Sequence, residues 1–226
     1  MSPRIAIVAG GGGGLGQTTV RTLLSAGLTV VAVDRDKDTL SKLPADVQSE
    51  VADATDPIAA KGAIDRIAAH IGPPDILVNT IGAYELGDAL TVTPETLHSQ
   101  VSINVGPALW LTQAVAPHMQ KKGSGVIVHV AARQGVEAIS GTAAYSMSKA
   151  ALVHLTRILN VELGSQGIRV NAVLPQLIDT PKNREILPSE MLADAVAPEF
   201  IADIISFLVS DGSAAISGAV VPAYGL

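Results

Sequence analysis

Short apolar runs recur along this 226-residue chain, and their spacing constrains the fold more than any other feature. They are IAIVA (5–9), TVVAV (29–33), DILVN (75–79), GVIVHV (125–130), IRVNAV (168–173) and AVVPA (219–223), with a weaker one, VQSEVA, at 47–52. Each is rich in β-branched residues and short, so each predicts a buried strand. Between them lie helix-length stretches with amphipathic spacing, among them 56–71, 143–163 and 198–210. This alternation predicts an α/β domain, a seven-stranded parallel sheet with helices on both faces. The length suits one domain over residues 1–226, with no internal repeat or linker. Pro175, Pro181, Pro188 and Pro198 mark residues 175–197 as an excursion, either a surface connector or a lid over a substrate site.

Composition narrows the function classes. Aromatic residues are only 3% of a chain that is 48% hydrophobic, so the core must be built from Ala, Val, Ile and Leu. A net charge of −6 without a clustered basic stripe argues against a nucleic-acid surface. There is no cysteine and the five histidines are scattered, so no metal site is expected. No run of about 18 apolar residues predicts a membrane span, and the first apolar run is too short for a signal-peptide core. A soluble cytoplasmic protein is the expectation.

The first strand leads into VAGGGGGLGQTT, with glycines at 10 to 14 and 16, and then into a helix. Glycine lets a backbone approach a pyrophosphate closely, and a helix N-terminus offers unpaired N–H donors and a favourable dipole. The run fits two registers: Gly11, Gly13 and Gly16 match GxGxxG, whereas Gly10, Gly14 and Gly16 match GxxxGxG. A glycine turn without a ligand is the alternative. Asp34 ends the second strand, where a carboxylate can accept both adenosine ribose hydroxyls and repel a 2′-phosphate, which favours NAD(H). Arg35 follows it and could pair with a 2′-phosphate, which keeps NADP(H) open.

YSMSK places Tyr145 and Lys149 four residues apart, on one face of the 143–163 helix. A cation beside a phenol favours phenolate and would lower the Tyr145 pKa towards neutrality, making the pair a proton relay. An ordinary surface Tyr and Lys is the alternative reading. His129, alternating with Val128 and Val130, reads as a packed or hydrogen-bonded core histidine, and Trp110 as helix packing.

Taken together, these motifs make the chain resemble the short-chain dehydrogenase/reductase family over almost its whole length. Ala9, Gly10, Gly14, Leu15 and Gly16 match the family's TGxxxGxG loop, and Asp53 its adenine-contacting Asp. Asn79 opens its NNAG motif, Asn104 matches its helix Asn, and Tyr145 and Lys149 match YxxxK. NAVLP (171–175) and Thr180 fall on its NxxxPG stretch and nicotinamide-contacting Thr. The resemblance implies a single-domain Rossmann fold and hydride transfer between nicotinamide and a small-molecule carbonyl or alcohol. Tyr145, Lys149 and Asn104 would be catalytic, with Asn104 holding a water that links Lys149 to solvent. It also implies a homodimer or homotetramer, for which Ala150, Ala151, His154, Leu155 and Ile158 offer a contact face unless they meet the chain's own core. In the family register Gly11 to Gly13 become a variable interior, so Gly12→Ala should be milder than Gly14→Ala or Gly16→Ala.

Several positions depart from the family pattern. NNAG has become NTIG at 79–82, the Pro-Gly after the sixth strand has become Pro175-Gln176, and the usual Asp near the C-terminus is Tyr224. The catalytic serine, expected thirteen residues before Tyr145, is Ala132. Alanine cannot donate a hydrogen bond to a substrate oxygen, a loss of roughly a hundredfold in rate. Three readings follow: a substrate that needs no such donor, a substitute donor, or a regulatory protein that binds dinucleotide without turnover. The dihydropteridine reductase branch also carries Ala there, and the DTPKNR stretch at 179–184 resembles its segment, which would suit a conjugated C=N substrate. Gln134 is the preferred substitute donor, with Arg133, Ser140 and Thr142 nearby, and Tyr84, Leu177 and Arg184 are expected to line the substrate mouth.

Overall fold

The computed structural model describes residues 3–225; residues 1, 2 and 226 of the expected domain lie outside them. In chain order the elements are β1 (Ile5–Ala9), α1 (Gly14–Ser25), β2 (Thr29–Asp34), α2 (Lys37–Leu40), β3 (Gln48–Val51), α3 (Pro57–His70), β4 (Ile76–Asn79), α4 (Pro94–Asn104), α5 (Gly106–Lys122), β5 (Gly125–Val130), α6 (Ala143–Leu163), β6 (Ile168–Pro175), α7 (Pro181–Ile186), α8 (Ser189–Leu192), α9 (Pro198–Val209) and β7 (Val220–Ala223). The seven strands form one parallel sheet in the order β3-β2-β1-β4-β5-β6-β7. The order reverses between β1 and β4, which opens a crevice at the carboxyl ends of the strands.

Alternate residues of β1, β2, β4, β5 and β6 feed two cores. Val8, Ala32, Val78 and Val128 pack on one face with Val20 and Leu23 of α1 and Ile201, Ile205 and Leu208 of α9. Ile7, Val31, Leu77 and Ile127 pack on the other with Ile64 and Ile67 of α3 and Leu111, Val115 and Met119 of α5. Both faces being covered explains why the strands read as unbroken apolar runs. Trp110 packs against the second core, as expected of a helix residue.

His129 lies on the second face, in register with Asn79 of the neighbouring strand. It is fully buried, so the packing expectation holds, but neither ring nitrogen has a hydrogen-bond partner among the described residues. Asn79 Nδ2 and Thr112 Oγ1 are also buried without partners. Burial, reinforced by the charge of Lys149, lowers the His129 pKa to about 4. The unfolded chain takes up that proton near pH 6.5 and the folded chain only near pH 4, so folding stability drains away as pH falls through this window. Thermal melts should show a loss approaching roughly 3 kcal/mol between those limits, and the loss should be absent from a His129→Leu variant.

Candidate active site

The glycine loop passes over the crevice between β1 and α1. Gly10 has φ +77°, a left-handed conformation that disfavours side chains, and a Cβ there would lie 2.7 Å from Thr80 Oγ1. Thr80, where the family has its second Asn, donates to the carbonyls of Ala9 and Gly10 at 2.9 and 3.2 Å and so ties β4 to the loop. The helices α3, α4 and α7 are capped by Asp56, Thr93 and Thr180, but the N-cap of α1 is Gly13, which has no side chain to offer. First-turn N–H groups of α1 are therefore left for an external anion. That is the observation by which this chain fits a dinucleotide pyrophosphate.

Gly12 is not open space, but Gly16 is held more tightly, because a Cβ there would overlap the Gly10 carbonyl of the loop backbone, in keeping with the expectation that Gly12→Ala is milder than Gly16→Ala. A Cβ on Gly12 would overlap Thr39 Oγ1 and stand 2.9 Å from Thr39 Cβ, while one on Gly11 would stand 2.7 Å from Ala32 Cβ. Only Gly13 within this interior is loosely held, its nearest neighbour being the Gly10 carbonyl at 3.3 Å. At Gly14 the space beside the backbone is filled by Thr180, whose Cγ2 would lie 2.7 Å from an added Cβ.

Asp34, at the end of β2, accepts hydrogen bonds from the Gly12 N–H at 3.0 Å and the Asp36 N–H at 3.1 Å. With Gly10, Arg35, Asp53, Thr55 and Ile81 it borders a cavity of about 190 Å³. The Thr55 hydroxyl and N–H donate to Asp53 and, with help from Arg35 at 3.8 Å, hold its carboxyl below the usual range. Arg35 is exposed on this rim, partly neutralised by Asp53.

Tyr145 and Lys149 do share a face at the start of α6, and the Lys149 amine lies 5.8 Å from the Tyr145 ring centre. Lys149 is buried and donates to the Val130 carbonyl at 3.1 Å. Burial pulls its pKa down to about 8. The expected lowering of the Tyr145 pKa is reversed, because burial, and then the neighbouring Tyr84, push the phenol well above its ordinary value. Desolvation outweighs a lysine that is itself desolvated. Gly82 makes room for this packing, since a Cβ there would meet Asn104 Oδ1 at 2.8 Å and Lys149 Nζ at 2.9 Å.

Asn104 is fully buried and its amide is committed to protein groups. Its Oδ1 accepts from the Ala83 N–H at 3.1 Å, and its Nδ2 donates to the Ala83 carbonyl at 3.0 Å, to Gln100 Oε1 and to Ser148 Oγ. Ser148 Oγ donates in turn to the Tyr145 carbonyl at 2.7 Å. The side chain thus positions the segment after β4 against α6, and its Oδ1 keeps one acceptor position beyond the Ala83 N–H.

Ala132 is buried in extended conformation at the end of β5, with no polar atom beyond its backbone. Gln134, in the 3-10 turn that follows, keeps a buried Oε1 without a partner among the described residues. Arg133 is spoken for: it donates to Glu137 and to Gln176 Oε1, each at 2.7 Å, and its guanidinium lies 5.0 Å from the Tyr224 ring centre. The 175–197 excursion contains α7 and α8 and is closed at its base by a bridge between Ile178 and Val196, with the Val196 N–H donating to the Leu177 carbonyl. Arg184 makes a bidentate pair with Asp179 at an exposed position. Among the described residues no helix is long and apolar enough to cross a membrane, and no cluster of His, Asp and Glu could hold a metal ion.

The short chain dehydrogenase family model matches residues 4–191. The chain belongs to that family. Its members are NAD(P)(H)-dependent oxidoreductases acting on small alcohols and carbonyls, and this chain is an enzyme of that type. It is 34% identical over 239 residues to the L-xylulose reductase of Bos taurus, covering 100% of this chain and 96% of the relative. It is 30% identical over 234 residues to the 3-oxoacyl-[acyl-carrier-protein] reductase FabG of Thermotoga maritima, covering 96% and 95%. Among solved structures, actinorhodin polyketide ketoreductase with NADPH superposes with a TM-score of 0.91 at 26% identity, covering 99% and 96% of the two chains.

Two groupings escaped the sequence reading. One is the contact between Tyr84 and Tyr145, whose rings meet edge to face at 4.7 Å. The other is the convergence of Arg133, Gln176 and Tyr224, of which the last two are themselves family departures; that coincidence was the available signal. The glycine geometry predicts that Gly12→Ala lowers NADH affinity at least roughly tenfold, while Gly13→Ala stays within about threefold of the unaltered protein. Calorimetric titration checks the order.

Proposed function

We propose that this protein reduces a small carbonyl or conjugated C=N compound, using NAD(H) in preference to NADP(H), with Tyr145 as the proton donor. The observation that carries the role of Tyr145 as proton donor is its phenol, kept protonated by burial and set against the buried Lys149 amine at the mouth of the crevice. A bound reduced nicotinamide would supply the hydride. Gly10, Gly14, Leu15 and Gly16 would face the pyrophosphate, Asp34 the adenosine ribose and Asp53 the adenine. Asn79, whose Nδ2 lacks a partner, Thr180 and Lys149 would face the nicotinamide end. The Asp34 carboxylate beside the glycine loop supports NAD(H), since a 2′-phosphate there would meet a like charge.

The substrate enters against Tyr145, between Tyr84 on one side and the 175–197 lid carrying Leu177 and Arg184 on the other. Ala132 and the DTPKNR stretch favour a dihydropteridine reductase-like subgroup, whereas the named relatives favour ketoses and 3-oxoacyl thioesters. Ala150, Ala151, His154 and Ile158 are exposed on the outer face of α6, which supports a homodimer or homotetramer.

The test is cofactor oxidation with L-xylulose, acetoacetyl-coenzyme A and a quinonoid dihydropterin. Tyr145→Phe is expected to lower turnover of any accepted compound at least a hundredfold while NADH binding persists. Unchanged turnover would remove Tyr145 from the reaction, and tight NADH binding without turnover of any compound would favour the regulatory reading. Because Lys149 is charged below about pH 8 and neutral above it, the rate of reduction should fall as pH rises through that value. Asp34→Ala should shift the NADH to NADPH preference by roughly tenfold towards NADPH, equivalent to about 1.4 kcal/mol.

A further inference from the structure

With serine replaced by Ala132, the site lacks one hydrogen-bond donor for a substrate oxygen or nitrogen. The nearby side chains can be taken in turn. Arg133 is bound to Glu137 and Gln176 and stacked on Tyr224. Thr142 Oγ1 donates to the Ile139 carbonyl and pairs with Ser146 Oγ, and Ser148 Oγ is held between Asn104 and the Tyr145 carbonyl. Thr180 Oγ1 caps α7 by accepting from the Asn183 N–H. Gln134 holds its Oε1 in a buried position, so the polar atom it turns inward is an acceptor.

Two phenols remain. Neither Tyr84 nor Tyr145 has a hydroxyl hydrogen bond among the described residues, and their rings meet at 4.7 Å with an interplanar angle of 81°. Their placement has one origin. Asn104 grips both backbone groups of Ala83, the residue before Tyr84, and reaches Tyr145 through Ser148. Glu85, immediately after Tyr84, accepts from Gln100 Nε2 at 3.4 Å on the same helix as Asn104. A buried amide therefore fixes the spacing of the two backbone segments that carry these tyrosines.

We propose that Tyr84 is the second hydrogen-bond donor of this site, holding the substrate oxygen or imine nitrogen beside Tyr145 in place of the serine that Ala132 replaces. This rests on the reductase reading above. Tyr84 transfers no proton; it stabilises the negative charge that develops as hydride arrives, and Tyr145 delivers the proton. Burial keeps the Tyr84 phenol, like that of Tyr145, above its ordinary ionisation range, so both are donors at neutral pH. Removing one donor of this kind costs roughly tenfold to a thousandfold in turnover.

The experiment measures kcat and KM with NADH for L-xylulose and acetoacetyl-coenzyme A in the unaltered protein, Tyr84→Phe, Tyr84→Leu, Ser140→Ala, Ala132→Ser and the double variant Tyr84→Phe/Ala132→Ser. NADH affinity serves as the control for folding. Tyr84→Phe keeps the ring and its packing, so a pure packing role leaves kcat unchanged and costs activity only in Tyr84→Leu. The expected result is a kcat loss of roughly tenfold or more in Tyr84→Phe at unchanged NADH affinity, with part of it restored by Ala132→Ser in the double variant. Full kcat in Tyr84→Phe, with Tyr145→Phe inactive, overturns the proposal while leaving the reductase reading intact. Loss in Ser140→Ala instead overturns it in favour of Ser140. If the unaltered protein turns over neither compound, the reductase reading fails for these substrate classes and the assignment of Tyr84 to them falls with it.

Discussion

Both faces of the sheet are buried, and that constraint decides where this chain can do chemistry. Helices α1 and α9 close one face and α3, α5 and α6 the other, so side chains of the inner strands β1, β2, β4, β5 and β6 are largely shut off from solvent, while the edge strands β3 and β7 are more open. Polar function is confined to the loops at the strand ends. Residues 10–16, 34–36, 53–55, 79–84, 132–135 and 176–180 all leave the carboxyl ends of strands, which is why a candidate site can be assembled from segments far apart in sequence. The interior polar residues show the cost of this arrangement. His129 and Asn79 stand side by side under the site with unpaired atoms, and burial keeps the histidine neutral.

The strands were legible because parallel pairing demands apolar side chains on both faces, a pattern visible without any partner. β1 and β5 begin and end where the runs IAIVA and GVIVHV do, and α6 spans the stretch predicted for it. The short helices α7 and α8 were not legible. They owe their existence to the bridge between Ile178 and Val196 and to the Thr180 cap, and a six-residue and a four-residue helix leave no periodicity to detect. The candidate site divides similarly. Residue types at a spacing gave Tyr145, Lys149 and the glycines, but the fit of Gly12 against Thr39 depends on a packing distance that no spacing encodes. The ionisation of Tyr145 was misjudged for the same reason. Sequence supplies the lysine four residues away, whereas desolvation depends on everything packed around the phenol.

Asn104 shows how a motif residue can act without touching a reacting atom. Its amide binds Ala83, Gln100 and Ser148, and in doing so holds two loops in register. Buried networks of this kind are costly when half satisfied and rigid when complete. The distance between the segment after β4 and the start of α6 is set by one side chain bonded to both.

Arg133 links the turn after β5 to Gln176 beyond β6 and to Tyr224 beyond β7. Gln176 and Tyr224 break the family pattern at two separate places in the chain, yet they meet around one guanidinium. Energetically they form a single thermodynamic unit, whose members cannot be exchanged for family-typical residues one at a time with additive effect. Restoring glycine at position 176 alone would leave the arginine with Glu137 and Tyr224 only, and restoring aspartate at 224 alone would exchange a stacking partner for a carboxylate competing with Glu137. The departures at 176 and 224 are thus a matched set, readable as one substitution distributed over two loops.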